Sequence, residues 1–170
     1  MKKSENVYLS IGSNLGDRES NLAQAITALG INYDITDVHS ASFYDTEPLY
    51  FTEQEYFLNT VVGCITSLSP FDLLDVTRRI EQMLGRPKIR EKNVPRIIDI
   101  DILVHGSSVI ETLELTLPHP QLATRRFVLT PFKEIAPDLQ IPVFNTTVRE
   151  LFTYCPDSSH VVVHHMEKEA

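Results

Sequence analysis

The chain is poor in cysteine: Cys64 and Cys155 are its only two in 170 residues, and they lack the CxxC spacing of a metal or redox site. Cys64 sits in the apolar run Val61-Val62-Gly63-Cys64-Ile65 and reads as core, while Cys155 stands beside a late proline. Both are expected to be reduced thiols, which points to the cytoplasm. No apolar run approaches the roughly 18 residues that cross a bilayer, and Met1-Lys2-Lys3-Ser4-Glu5 leads straight into a short alternating segment. Neither a membrane helix nor a signal peptide is therefore expected. The pattern GxxxxGK[ST] is missing, and Gly12-x-x-x-Gly16 lacks the lysine, which excludes a P-loop. No GxGxxG opens a βαβ unit, which argues against a Rossmann cofactor site. Neither cysteine has a histidine and a base in a supporting context, so nucleophilic catalysis finds no footing. No repeat, low-complexity tract or linker divides the chain, and residues 1–170 read as a single domain.

What is present starts with an ordinary globular composition, 42% hydrophobic and 22% charged, which excludes disorder. The net charge of −8 argues against general nucleic-acid binding. Its distribution is more specific. Arg78, Arg79, Arg86, Lys88, Arg90, Lys92 and Arg96 make up seven of the fifteen Lys and Arg, opposed in that stretch only by Glu81 and Glu91. A basic segment in an acidic protein suits a small polyanion such as a nucleotide; the plainer reading is a solvated loop.

That segment runs into Pro95-Arg96-Ile97-Ile98-Asp99-Ile100-Asp101-Ile102-Leu103-Val104, a β-branched, apolar stretch that reads as a buried strand. Strand alternation places Asp99 and Asp101 on one face, Cα atoms about 6.5 Å apart, with Ile98, Ile100 and Ile102 on the other. Two adjacent buried carboxylates repel each other and call for a cation. A pair of hard oxygen ligands suits Mg²⁺, including a two-ion arrangement for phosphoryl transfer. The alternative is an ordinary salt-bridge network with Arg96 and other basic side chains.

The remaining pattern gives an element order. Residues 6–11 alternate as a strand, Gly12–Gly16 form a turn, and Asp17 caps a helix carrying Leu22, Ile26 and Leu29, closed by Gly30. Tyr33–Thr46 reads as extended and Phe57–Leu68 as a second long strand. Ser69-Pro70, with Asp72 in capping position, starts a helix striped by Leu73, Val76, Ile80 and Leu84 and ended by Gly85. The aspartate strand follows, which gives β-α-β-β-α-β. This order predicts an α+β, ferredoxin-like sandwich with helices on one face of a mainly antiparallel sheet. After residue 105 the pattern predicts C-terminal additions: a short hairpin, helices near 125–135 and 148–154, and a closing strand at 160–164. His160, His164 and His165 read as strand and tail residues rather than metal ligands.

Further residues join the aspartates. Pro95-Arg96-x-x-Asp99-x-Asp101-Ile102-Leu103 resembles the signature of the 6-hydroxymethyl-7,8-dihydropterin pyrophosphokinases. Gly12-Ser13-Asn14, Thr46-Glu47-Pro48, Phe57-Leu58-Asn59, Glu81…Gly85-Arg86, Pro118-His119 and Arg125-Arg126-Phe127-Val128-Leu129 match the same family in order, over roughly residues 7–155. The resemblance implies transfer of pyrophosphate from ATP to the hydroxymethyl oxygen of the reduced pterin, with release of AMP. It implies that Asp99 and Asp101 hold two Mg²⁺ ions, and that Arg86, Lys88, Arg96, His119 and Arg125 contact phosphates. Arg78, Glu81, Ile102 and Thr116 would line the nucleotide pocket. The pterin would stack between Phe57 and Phe127, with Asn59 and the backbone around Thr46, Pro48 and Leu49 reading its polar edge. Taken singly, the two phenylalanines read first as core residues rather than a stacking pair, and His119 reads equally as a turn cap.

The chain departs from the family pattern at Tyr50, where Gly is usual, at Val94 and Ile97, and at Lys88, where some members use Arg. The expected state is a monomer acting on ATP and the pterin, with neither nucleic acid nor membrane as partner. A non-catalytic ferredoxin-like nucleotide sensor would explain Arg78–Arg96 but leave Asp99 and Asp101 without a purpose. A two-metal nuclease would explain the aspartates but lacks an extended basic face.

Overall fold

A computed structural model describes residues 3–48, 53–87, 89 and 92–166. Strand β1 (Glu5–Ser13) lies at the centre of a mainly antiparallel sheet, between β4 (Phe57–Thr66) and β5 (Asp99–His105). Being covered on both faces, β1 is buried from Leu9 to Ser13. Beyond β4 lie β2 (Ile35–Ser40) and β3 (Tyr44–Thr46), and β10 (Val161–Val163) closes that edge on β3. With helices α1 (Arg18–Gly30) and α2 (Pro70–Met83) between the strands, this is the ferredoxin-like order expected.

Local chemistry starts the helices where the sequence indicates. Asp17 accepts the Ser20 N–H at 3.0 Å, and Ser69 accepts the Asp72 N–H at 3.2 Å with Pro70 in the first turn. Each such cap is worth about 1 kcal/mol. Leu22, Ala25 and Leu29 of α1 and Leu73 and Ile80 of α2 pack with Val7, Leu9, Ile11, Ile98, Ile100 and Ile102 into one core.

Four expectations need correction. The extended run Tyr33–Thr46 is two strands, because its pairing with β4 slips one residue twice. Thr36 faces Ile65, His39 faces Gly63, and Tyr44 faces Asn59. The first slip is a bulge or irregularity between Thr36 and His39, where Asp37 takes a left-handed φ of 53°, and the second falls between the end of β2 and the start of β3. The first strand also runs on through Gly12 and Ser13, which pair with β4 instead of turning. α1 closes one residue past Gly30, on Ile31. Finally, helices cover both faces of the sheet. α3 (Arg126–Ile135) and α4 (Val148–Thr153) build a second core with Val61, Leu103 and Val104 on the side opposite α1 and α2. Here Tyr8 meets Phe132 at 5.0 Å between ring centroids. The hairpin β6 (Ile110–Glu111) and β7 (Thr116–Leu117) and the small ladder β8 (Gln140–Ile141) and β9 (Thr146–Thr147) complete the C-terminal additions.

Candidate active site

α3 and α4 leave one end of their sheet face uncovered. The floor there is a row of paired residues across three strands: Asn59 of β4 faces Gly12 of β1, and Gly12 faces Asp99 of β5. A Cβ at Gly12 would collide with Asn59 Oδ1, so the missing side chain is what lets the floor close. Two residues back, Ser10 faces Asp101. Thr46, Pro48 and Phe57 rise on one side and Arg96 on the other, and Arg125 and Phe127 overhang from the start of α3. Together these residues line one cleft.

The carboxylates differ sharply in their surroundings. Asp99 Oδ1 accepts from Arg86 at 2.5 Å and Oδ2 from Arg96 at 2.7 Å. Burial opposes its charge, but the two guanidiniums outweigh it and hold the carboxyl below its ordinary 3.8. The Asp101 carboxyl receives no hydrogen bond among the described residues, and burial, Asp99 and Glu81 push its pKa up to about 7 against the charges of Arg125 and Arg86. The salt-bridge alternative is therefore realised for Asp99 and, among the described residues, not for Asp101. Each Asp99 oxygen accepts one N–H and keeps a lone pair, and Asp101 keeps its full set. The donor set, hard oxygens that include one carboxyl without a hydrogen bond among the described residues, therefore fits a divalent cation such as Mg²⁺.

Arg86 is the hub behind this pair. Its guanidinium reaches Glu81 Oε1 at 2.7 Å as well as Asp99, and Glu81 Oε1 also accepts the Ile100 N–H at 2.8 Å. Glu81 therefore sits on the helix side of β5, 2% exposed, and orients Arg86 rather than lining the cleft. Ile102 departs from expectation for the same alternation that unites the aspartates: it points into the α1–α2 core, 3% exposed. Arg78 and Thr116 are absent from the cleft lining. Arg78 pairs with Glu114 at 2.7 Å, beside the β6–β7 hairpin that carries Thr116. Lys88 and Leu49 lie outside the described residues, as does Tyr50.

His119 serves as a turn cap, its Nδ1 accepting the Gln121 N–H at 3.2 Å, and that bond leaves Nε2 to carry the proton. Burial, and then Arg125, push its pKa down to about 4, so the ring is a neutral donor at physiological pH. Arg125 stands 5.7 Å from the Phe127 ring centroid. Phe57 and Phe127 are half-buried and both line the cleft, so neither is simply core. Asn59 is 4% exposed, and its Nδ2 donates to Thr46 Oγ1 at 2.6 Å.

Sequence reasoning passed over Ser10, Glu47, Gln54, Asn93 and Val94 as lining residues. Gln54 bridges the two loops at the mouth: it accepts from Asn14 at 3.0 Å and donates to the Asn93 carbonyl at 2.6 Å. Asn14 in turn exchanges two bonds with the Arg96 backbone, at 2.7 and 3.0 Å. Polar residues in unpatterned loops carry no periodic signal, so only their tertiary neighbours reveal them.

The chain is 41% identical over 133 residues to the 2-amino-4-hydroxy-6-hydroxymethyldihydropteridine pyrophosphokinase of Bacillus subtilis (strain 168), covering 78% of this chain and 79% of that one. It is 43% identical over 143 residues to the protein of the same name from Methylorubrum extorquens, covering 84% and 89%. The crystal structure of wild-type Plasmodium falciparum HPPK-DHPS with pteroate shares the fold at a TM-score of 0.72 and 17% identity. That match takes in 90% of this chain but only 42% of the longer one. The family model for 7,8-dihydro-6-hydroxymethylpterin-pyrophosphokinase matches residues 8–137, from the central strand through the carboxylates to the end of α3, and the chain belongs to that family.

Proposed function

We propose that this chain transfers the pyrophosphoryl group of ATP to the hydroxymethyl oxygen of 6-hydroxymethyl-7,8-dihydropterin, a step of folate synthesis. The oxygen bonds to the β-phosphorus, the bond from that phosphorus to the α-phosphate oxygen breaks, and AMP leaves as the alcohol gives up its proton. One observation carries the reading: a carboxylate pair, one member of which accepts no hydrogen bond among the described residues, shares a single cleft with Arg96, Arg125 and the side chains of Phe57 and Phe127.

Asp99 and Asp101 are the residues to hold Mg²⁺, as two ions, which when bound would neutralise triphosphate charge and favour charge build-up at the β-phosphorus. Arg86, Lys88, Arg96 and Arg125 supply positive charge for the phosphates, and neutral His119 offers an Nε2–H donor. Arg78 and Thr116, together at the hairpin edge, would border the nucleotide beyond the cleft, and Ile102 can contribute only its main chain. The pterin ring lies between Phe57 and Phe127, with Asn59, Thr46 and the backbone at Pro48 and Leu49 on its amide-like edge. The enzyme acts as a monomer in the cytoplasm; the free thiols of Cys64 and Cys155 support that location.

AMP should appear from ATP and Mg²⁺ only when the pterin is added. ATP binding without AMP formation would instead favour a nucleotide sensor. Phe127→Ala is expected to weaken pterin binding roughly tenfold while ATP binding changes little, since a stacked aromatic contributes about 0.5–1.5 kcal/mol beyond its burial. Equal losses for both ligands in calorimetry would remove the stacking role.

A further inference from the structure

The family match ends at residue 137, yet the strand that closes the sheet edge beside the pterin half of the cleft is β10, near the C-terminus. β10 pairs with β3 so that Val161 faces Thr46 and Val163 faces Tyr44, and the next residue, His164, donates its N–H to the Phe43 carbonyl at 2.8 Å. Without β10, β3 would be a three-residue edge strand, a length that holds its place poorly. Thr46, its last residue, lines the cleft and receives the Asn59 amide.

The His164 side chain adds a second tie. Its Nδ1 lies 2.5 Å from Asp45 Oδ2 and its Nε2 lies 2.6 Å from Glu19 Oε1. Ionised carboxylates only accept, so both ring nitrogens must donate, which requires the imidazolium. The charged groups facing the ring are Asp45 of β3 and Glu19 of α1, with Arg18 of α1 beyond Asp45. Arg18 Nη1 donates to Asp45 Oδ1 at 3.1 Å and to the Tyr56 carbonyl at 2.7 Å. Two cations and two anions balance here only while His164 is charged. The network also holds both chain segments that enter the pterin half: Asp45 precedes Thr46, and Tyr56 precedes Phe57.

We propose that His164 is a positioning residue for the pterin substrate: as an imidazolium clamped between Asp45 and Glu19, it locks β3 and the entry to β4 so that Thr46, Phe57 and Asn59 are preset for the ring. Among the described residues the clamp makes no bond to β5, which carries the carboxylates of the nucleotide half. This inference rests on the pterin reading of the cleft. The bond to Glu19, with the help of Asp45, raises the His164 pKa above its ordinary 6.5. A group raised in the folded state adds stability that is fully present below the unfolded value and lost as pH rises through the folded one. The clamp therefore opens on the alkaline side.

The test measures KM for the pterin and for ATP from pH 6 to pH 9 in wild type, His164→Ala, His164→Gln and Arg18→Ala. Pterin-dependent AMP formation by the wild type establishes the underlying reading first, so its absence would defeat that reading and the clamp would be judged by hydrogen exchange at residues 44–46. At pH 6.5, His164→Ala should raise the pterin KM about tenfold, the equivalent of ~1.4 kcal/mol, and leave the ATP KM within about twofold. His164→Gln, which can donate only to one carboxylate, should fall between, and Arg18→Ala should repeat the pterin-only effect. The wild-type pterin KM should rise towards the alanine variant's with pH, while the two histidine variants lack that component. An unchanged pterin KM, a parallel rise in both KM values, or a pH component that survives in His164→Ala would each overturn the proposal. If His164→Ala does not fold, His164→Gln and Arg18→Ala carry the same decision.

Discussion

Replacing Asp99 or Asp101 with alanine is expected to lower turnover by about three orders of magnitude, the upper scale for removing one preorganised charge-stabilising group. The fold should survive both changes, because neither side chain belongs to either apolar core. The two variants should differ in stability. Asp99 makes favourable bonds to Arg86 and Arg96, so its loss should lower the melting temperature. Asp101 is held with its pKa raised to about 7, so in the metal-free protein its ionisation works against folding. The folded state then binds more protons than the unfolded one between about pH 4 and pH 7, and stability falls across that window. Asp101→Asn, which mimics the neutral acid, should therefore melt higher than wild type at pH 8, with the gain shrinking towards pH 4. Added Mg²⁺ should raise the wild-type melting temperature at pH 8 and leave the asparagine variant nearly unmoved. Thermal melts with and without Mg²⁺ check this directly. A near-wild-type rate in either alanine variant, or equal Mg²⁺ stabilisation of wild type and Asp101→Asn, would remove the carboxylate pair from the mechanism.

Arg86→Ala is expected to damage both fold and function. The side chain is 8% exposed and its partner Glu81 2%. Burial works against the guanidinium's charge, yet Asp99 and then Glu81 more than offset it and raise its pKa. Taking away one partner of a buried pair costs roughly 3–5 kcal/mol, or a fall of about 10 °C in melting temperature for a domain of this size. Glu81 would keep its bond to the Ile100 N–H, which limits the loss. Asp99, whose pKa is lowered, adds stability above the ordinary carboxylate value of 3.8 that is lost as pH falls through its folded value. The gap between wild type and variant should accordingly narrow below about pH 4. Turnover should drop as well, since Asp99 loses one of the two guanidiniums that orient it. Arg86→Lys should recover part of the stability and little of the rate, because an ammonium cannot reproduce the planar fork between two carboxylates. A melting temperature within 2–3 °C of wild type, on the order of one kcal/mol, would show that the hub is dispensable.

Much of the molecule could be read from short spacings. The period of two that unites Asp99 with Asp101 also buries Ile98, Ile100 and Ile102, and the structure keeps both sets. Asp17 and Ser69 cap the helices they precede, because capping depends on a donor three residues away. The basic stretch was recognisable as charge, and the signature around the aspartates carried the family. These features rest on local geometry: alternation, a capping bond, a run of one charge sign.

Other features were decided by contacts between distant parts of the chain. Ile102 and Glu81 belong beneath the sheet rather than in the cleft, which only the packing of α2 under β5 establishes. The two register slips that break Tyr33–Thr46 arise from pairing with β4, whose residues lie some twenty positions further on. The second helical layer depends on Val61, Leu103 and Val104 finding α3 and α4. His164 looks like a tail residue until the fold brings it against Asp45, 119 positions away. What the sequence alone determined was therefore the signature, the face of the carboxylates and the ends of the helices, all set by interactions within a few residues. Which groups meet across the cleft was left to the tertiary structure, because those contacts form only when burial of both cores offsets the entropy of closing long loops.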